Sequence, residues 1–488
     1  MADEPIQFFA KQKKIYPRRV WGRYRKIKWV AMIALLGIYY GAPWLRWHRG
    51  EHAPDQAILI DMSGHRGYFF GIEIWPQEVY YITGILILAA VSLFFVTSLF
   101  GRVWCGYACP QTVWTDLFVW VERIIQGDRN ARKKLDESPW TIGKIYKKTL
   151  THFIWLLIGL CTGGAWVFYF NDTPTLADQI LHLDVPWSTA SWIFGLTFST
   201  YIMAGCAREQ VCTYMCPYAR FQSAMFDANT LIIAYDQQRG EPRGKWKQKA
   251  EYLARAAGKA IYQADTASLL KEAKTAIELQ QSSGHCIDCD SCVVVCPMGI
   301  DIREGLQMEC IACGLCVDAC NSVMDKINLP RGLIRYETEN KTPLKLLRPR
   351  NFWYAGILAL VGCVMLYTLL HRLPVEINVI HDRNPLFVQM SAGEIRNGYT
   401  LHILNKTHED RQYAVTLEGL DGATLKAETN HELQPDHLDV FADSVGQFRF
   451  FVLAPKQSNH RRDIRFIVTE TQTQVSADKD SIFVGPNQ

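Results

Sequence analysis

Five stretches of this chain are apolar for long enough to cross a bilayer, and the polar residues between them fall unevenly. The runs lie at residues 29–47, 79–100, 152–170, 187–206 and 352–371, each near the roughly 20 residues a transmembrane helix needs. Residues 1–28 ahead of the first run are strongly basic, and residues 207–351 form a long polar segment between the fourth and fifth. After residue 371 the texture changes to short runs. Tyr399–Thr407, Phe448–Pro455 and Asp463–Thr471 are rich in β-branched and aromatic residues and bounded by Asn, Gly, Pro and Asp, which predicts strands. Residues 372–488 are expected to form an immunoglobulin-like β-sandwich without a cysteine staple. Lys245–Gln281, rich in Ala, Lys, Leu, Glu and Gln, predicts an exposed helix whose charges make a solvated face.

Charge gives the runs a direction. Nine Lys and Arg lie between Lys11 and Lys28, and nine more follow the second run, whereas Asn171–Pro186 has three aspartates and no Lys or Arg. The positive-inside bias predicts a cytoplasmic N-terminus and an outward C-terminal domain. The first run starts late and has no small-residue cleavage site, so it reads as a retained helix. All 15 cysteines fall between Cys105 and Cys363, as expected for free or metal-bound thiols on a reducing side. A length of 488 residues implies two or three units, and 12% aromatic residues suit interfacial belts. The net charge of +4 singles out no nucleic-acid surface, and no acid–base or nucleophile constellation for an organic substrate stands out. His152 and His371 are expected at opposite faces of the membrane, which disfavours a bis-histidine haem.

The chemistry lies in the cysteines. CIDCDSCVVVCP (Cys286–Pro297) and CIACGLCVDAC (Cys310–Cys320) both read C-x2-C-x2-C-x3-C, the spacing of two-cluster bacterial ferredoxins. In such a segment three thiolates of a tight loop hold one cube, and the fourth turns to the other. Cys286, Cys289, Cys292 and Cys320 are thus expected on one [4Fe–4S] cluster, and Cys310, Cys313, Cys316 and Cys296 on the second. The ferredoxin-like domain is placed at about residues 284–336. Structural zinc, with ligands in two pairs, leaves the repeated third and fourth cysteines unexplained.

A second pattern, C-x3-C-P, occurs twice, in WCGYACP (Trp104–Pro110) and VCTYMCP (Val211–Pro217). Both copies follow an even-numbered membrane run, on the side of the ferredoxin-like segment. Cys105, Cys109, Cys212 and Cys216 are candidate redox or metal ligands, with Cys206 as a further candidate. Paired soft thiolates suit Cu(I), zinc or an iron–sulfur cluster. Arg102 and Arg208 upstream are expected to lower the thiol pKa values. Proline disfavours helix at the preceding cysteine, placing each pair at a helix end or turn.

Taken with FGIEIWPQE (Phe70–Glu78), YDQQRGEPRG (Tyr235–Gly244) and PRGLIRY (Pro330–Tyr336), these motifs closely resemble the FixG/RdxA/CcoG family of cytochrome c oxidase accessory proteins, over nearly the whole chain. Asn321 stands where that type of motif often has proline, and the Lys245–Gln281 stretch is longer than the family's usual linker. The resemblance implies a protein of the bacterial inner membrane with a periplasmic C-terminal domain. It further implies reduction of Cu(II) to Cu(I) for assembly of a cbb3-type oxidase, with copper at Cys105, Cys109, Cys212 and Cys216. The expected partners are the membrane, copper ions, an unidentified cytoplasmic electron donor, a copper chaperone or oxidase assembly factors, and a second copy in a homodimer. The rival readings are a quinol-linked electron conduit and a non-catalytic assembly scaffold.

Overall fold

The computed structural model describes residues 14–50, 53–244, 284–343, 345–391, 393–427, 434–455 and 461–486. The helix expected at Lys245–Gln281 lies outside these described residues. Two compact units divide the chain: Met1–Leu45 with Ile58–Phe69 and Glu73–Gly362, and Arg46–Ala57 with Phe70–Ile72 and Cys363–Gln488.

The first unit opens with helix α1 (Arg23–Gly41). It begins ahead of the apolar run because its basic first turns are anchored. Arg25 donates twice to Asp116, at 2.9 and 2.7 Å, and Lys28 approaches the same carboxylate at 3.8 Å. A short hairpin of β1 (Ile58–Asp61) and β2 (Arg66–Phe69) precedes α2 (Tyr80–Phe100). At 1.5 Å per residue α2 is about 31 Å long, a bilayer core's thickness.

Next come α3 (Val103–Tyr107), α4 (Pro110–Gln126) and α5 (Arg129–Glu137). Helix α6 runs from Ile142 to Val167, starting well before the expected His152. Its first turns carry Lys144, Lys147 and Lys148, good helix formers that do not belong in lipid, and Thr141 caps it by accepting from the Lys144 amide. Helix α7 (Thr173–Leu181) occupies the loop expected between the third and fourth spans, and α8 (Trp187–Thr200) continues as a π-helical segment, Tyr201–Ala207. A second π-helical turn, Val211–Met215, leads into α9 (Pro217–Ala224).

Strand β3 (Leu231–Tyr235), the short α10 (Ser291–Val295), α11 (Leu315–Lys326) and β4 (Ile334–Thr338) frame the cysteine-rich segment. β3 and β4 pair antiparallel, with Ile233 opposite Tyr336. The last long helix is α12 (Pro349–Leu370). Among the described residues, five helices are long and apolar enough to cross a membrane: Arg23–Trp44, Pro76–Phe100, Ile142–Val167, Trp187–Ala207 and Pro349–Leu370.

Helix α4 packs between these spans. Phe118 stacks on Trp155 with ring centres 5.4 Å apart, and both are buried beside Val121 and Ala204. Its acids are buried as well. Glu122 accepts from Arg132 at 2.9 Å and pairs with Arg208 at 3.2 Å. Burial alone pushes the Asp116 carboxyl up, but Lys28 and Arg25 bring it below the ordinary carboxylate range.

The second unit is an antiparallel sandwich. Strands β5 (Val375–His381), β6 (Glu394–Asn405), β8 (Thr424–Ala427) and β10 (Ser444–Pro455) form one sheet in the order β8–β10–β6–β5. Strands β7 (Arg411–Glu418), β9 (Leu438–Val440), β11 (Arg461–Glu470) and β12 (Ser476–Val484) form the other, ordered β9–β7–β11–β12. Alternate residues meet in one core, including Leu401, Ile403, Phe450, Val452, Phe466 and Val468. Buried Asn397 accepts from the Val484 amide at 3.0 Å and donates to its carbonyl at 2.9 Å, serving as an extra stretch of backbone.

Candidate functional site

The two cysteine sets of the ferredoxin-like segment each enclose a cavity. Cys286, Cys289, Cys292 and Cys320 line one, closed by Tyr235, Met324, Leu333 and Ile334. Cys296, Cys310, Cys313 and Cys316 line the second, with Ile233, Met298, Ile300 and Ile302. The same positions bend the backbone in both repeats. Asp288 and Asp290 have φ of 49° and 52°, and their counterparts Ala312 and Gly314 have 50° and 73°. A left-handed residue costs an L-side chain about 1–2 kcal/mol, so each loop curls at a cost offset elsewhere. In the first repeat Arg303 does this, pairing with Asp288 and Asp290 at 2.7 Å each and with Asp301 at 2.6 Å.

The donor set fits iron–sulfur chemistry. Burial pushes the Cys292, Cys296 and Cys320 thiols up to about 12 and Cys310 to about 11. Thiols so placed ionise when a cationic core binds among them. Two such sets, each in an apolar cavity, match the four-cysteine requirement of a [4Fe–4S] cluster.

The C-x3-C-P motifs adopt one shape twice. Cys105 lies in the single turn α3 and Cys212 in the π-helical turn Val211–Met215. Cys109 and Cys216 are extended, with φ, ψ of −61°, 128° and −80°, 110°, and each stands immediately before a helix with proline at its first position. Proline therefore opens α4 and α9, besides bending the preceding cysteine out of helix.

These loops are built onto the second cysteine set. A Cβ on Gly106 would lie 2.7 Å from the Ile311 carbonyl oxygen and 3.0 Å from Cys313 Cα, so only glycine lets the backbones meet. Tyr107 Oη donates to the Cys313 carbonyl at 3.0 Å and lies 3.2 Å from Tyr336 Oη, which donates to the Ala312 carbonyl at 2.6 Å. Cys105 and Cys212 both pack on the core of Val295, Met298, Ile311 and Cys313. Cys105 Sγ donates to Gln222 Oε1 at 3.1 Å.

The expected role of the arginines is corrected. Burial pushes Cys105 up to about 12 and Cys212 to about 11, with Cys109 adding to both, and Arg102 offsets this only in part. Arg102 is spent on backbone, donating to the carbonyls of Met308, Cys310 and Ala219. Arg208 turns to Glu122 and donates to the Gly205 carbonyl at 2.7 Å.

Among the described residues, no three of the Cys105, Cys109, Cys212 and Cys216 sulfurs lie within 4.8 Å of one another. They are near enough to raise one another's pKa. Cys206, exposed in the π-helical segment, does not join them in the Cys105 core, and Cys161 and Cys363 are exposed on their helices. His152 Nδ1 lies 2.9 Å from Tyr201 Oη.

Sequence reasoning gave Arg102 a different role from the backbone contacts it makes, and it did not single out Gly106, Asp318 or the buried acids of α4. Tyr107 and Tyr336 lay within motifs already singled out, and the structure adds the hydrogen bond that joins them.

Comparison with known proteins follows the same division. Residues 207–339 match a family described as a 4Fe-4S dicluster domain, and residues 82–127 one described as a 4Fe-4S binding domain. Residues 365–486 match a family described as an IG-like fold at the C-terminus of FixG, with an oxidoreductase class attached. The nitrogen fixation protein FixG of Rhizobium meliloti (strain 1021) is 44% identical over 485 residues, covering 92% of this chain and 88% of FixG. Protein RdxA of Cereibacter sphaeroides is 44% identical over 471 residues, 93% of this chain and 92% of RdxA. Protein RdxB of that organism is 43% identical over 493 residues, 98% of this chain and 97% of RdxB. The crystal structure of a FixG-related protein from Vibrio parahaemolyticus aligns with 23% of this chain and 98% of its own, at 26% identity and a TM-score of 0.21.

Proposed function

This chain belongs to the family of FixG, RdxA and RdxB, and from that premise we propose that it is a membrane iron–sulfur oxidoreductase that reduces Cu(II) to Cu(I) for assembly of a cbb3-type cytochrome c oxidase. In this reading Cys286, Cys289, Cys292 and Cys320 hold one [4Fe–4S] cluster, and Cys310, Cys313, Cys316 and Cys296 hold the other. When bound, the clusters supply single electrons.

The chain's own residues set where those electrons are used. Cys105, Cys109, Cys212 and Cys216 take the copper substrate as thiolates. Soft sulfur favours Cu(I) over Cu(II), so binding draws the ion toward the one-electron-reduced state. Pairs of these thiols, not all four at once, serve one ion, in keeping with their spacing. The observation that carries this reading is the contact of Gly106 and Tyr107 with the Ile311–Cys313 backbone. The basic N-terminal segment supports a cytoplasmic location for both motifs and a periplasmic one for the sandwich.

A second reading has a specific observation in its favour. Residues 82–127, which include Cys105 and Cys109, match a 4Fe-4S binding family, and four thiols spread more widely than one ion requires suit a third cluster.

The test is anaerobic purification, reduction of the iron–sulfur centres, removal of excess reductant and addition of Cu(II). The expected result is reoxidation of the iron–sulfur absorbance in step with Cu(I) captured by a chromogenic chelator. Unchanged absorbance with no Cu(I) would sink the reductase reading.

A further inference from the structure

Between α1, α4, α6 and α8, all within the first unit, lies a cavity of about 190 Å³, lined by Tyr39, Gln111, Trp114, Thr162, Trp166 and Ser199 among others. We propose that it binds the ring of a lipid-soluble quinone or quinol. This inference is independent of the copper reading, because it concerns a different ligand at a different place.

Size comes first. An apolar cavity of about 150 Å³ accepts benzene, so this one accommodates a single substituted six-membered ring with its tail outside. Three of its walls are aromatic, and they are preset. Tyr39 and Trp114 meet edge to face, with ring centres 5.3 Å apart at 88°. Trp114 Nε1 donates to Thr162 Oγ1 at 3.0 Å, Tyr39 Oη to the Thr162 carbonyl at 2.8 Å, and Tyr169 Oη to the Tyr39 carbonyl at 3.0 Å. A flat ring stacks on such walls without their moving.

Polar groups decide against an acyl chain as the occupant. Gln111 spends its Nε2 on the Met203 and Arg208 carbonyls, at 2.8 and 3.1 Å, across the π-helical segment. That leaves its Oε1 to accept from a phenolic hydroxyl, while Thr200 and Ser199, the latter with its hydroxyl 3.8 Å from Met203 Sδ, line the same cavity. A hydrocarbon tail leaves the Gln111 oxygen unsatisfied, whereas a quinol hydroxyl pairs with it.

Position supplies the remaining argument. Access is lateral, since α1, α6 and α8 are long and apolar enough to cross a membrane and the lining residues Trp166 and Met203 are 49% and 39% exposed. Pro110, the residue after Cys109, also lines the cavity. Gln111 further lines a second cavity, together with Cys212, Met298 and Ile311. One side chain thus separates a lipid-accessible aromatic pocket from the thiols and the core of the second cysteine set.

The test uses the full chain in detergent, titrated with decylubiquinone while tryptophan fluorescence is followed. Saturable quenching is expected, with no competition from decanol. Ser199→Leu fills the cavity and is expected to weaken binding by roughly tenfold, the equivalent of one lost ring contact or hydrogen bond. Thr200→Val keeps the shape, removes a hydroxyl and weakens binding by a smaller factor. Iron content reports whether each variant is folded. Absence of saturable quenching, equal competition by decanol, or binding unaltered in both folded variants would each overturn the proposal.

Discussion

Asp318 caps a helix to which it does not belong. Its carboxylate accepts from the Arg25 amide at 2.8 Å and from the Tyr24 amide at 3.3 Å, in the first turn of α1. The residue in the capping position, Gly22, has no side chain to do so, and a Cβ there would run into Asp318. The segment between Cys316 and Cys320 is thereby tied to the start of the first membrane helix.

Replacing Asp318 by alanine is expected to cost about 1 kcal/mol, the usual value of a lost N-cap, while asparagine keeps most of it. Thermal unfolding of the detergent-solubilised protein, followed by loss of iron–sulfur absorbance, reads the difference. Equal midpoints for wild type and Asp318→Ala would remove the cap from the account.

Gly106→Ala forces a methyl group into the Ile311 carbonyl. The neighbour is backbone and cannot swing aside, so the cost is about 1–3 kcal/mol, taken up by parting the two loops. Iron content is expected to stay near wild type while Cu(I) formation slows. A variant with wild-type rate and iron content would show that the close approach is dispensable.

Cys105→Ser and Cys212→Ser separate the two readings of the membrane-side thiols. If these thiols carry copper, bound copper falls while iron stays at about eight atoms per chain. If they hold a third cluster, wild type carries about twelve iron atoms and each variant falls toward eight. Metal analysis of the anaerobically purified protein decides.

Glu122→Gln leaves Arg132 and Arg208 buried without their carboxylate. Removing one partner of a buried pair costs about 3–5 kcal/mol. Yield of folded protein and its unfolding temperature are expected to drop sharply. Replacement of the exposed Glu137, which pairs with Lys133 at 3.8 Å on the same helix, is expected to change neither, because such surface pairs contribute about 0.5 kcal/mol at most.

Stripping iron with an oxidant and chelator is expected to loosen residues 284–338 and leave the C-terminal sandwich intact. The ferredoxin-like core holds Cys286, Cys292 and Cys320 among its own buried residues, whereas the sandwich core has no cysteine. Limited proteolysis before and after stripping distinguishes the two. Cleavage confined to the sandwich would contradict this dependence.

The sequence disclosed most where a local rule was strong. Apolar length marked five spans, and short β-branched and aromatic runs bounded by turn residues marked the sandwich. Hydropathy sees lipid and not helix, which is why α6 begins at Ile142 in a basic stretch that the apolar run omits. Helix α4 was missed for a related reason. Asp116 and Glu122 look like surface residues until Arg25, Arg132 and Arg208, from elsewhere in the chain, are placed around them. The spacing of the twin cysteine sets suggested how each loop curls. Nothing local, however, announces that Gly106 lies against Ile311, some two hundred residues away.

That contact has a kinetic consequence. In the proposed reading, passage of an electron between the C-x3-C-P loop and the second cysteine loop is a first-order event, because both belong to one chain and are packed together. It needs no encounter complex and is indifferent to protein concentration and ionic strength. On that reading, any second-order, salt-sensitive phase belongs to the arrival of an electron donor or of the copper ion.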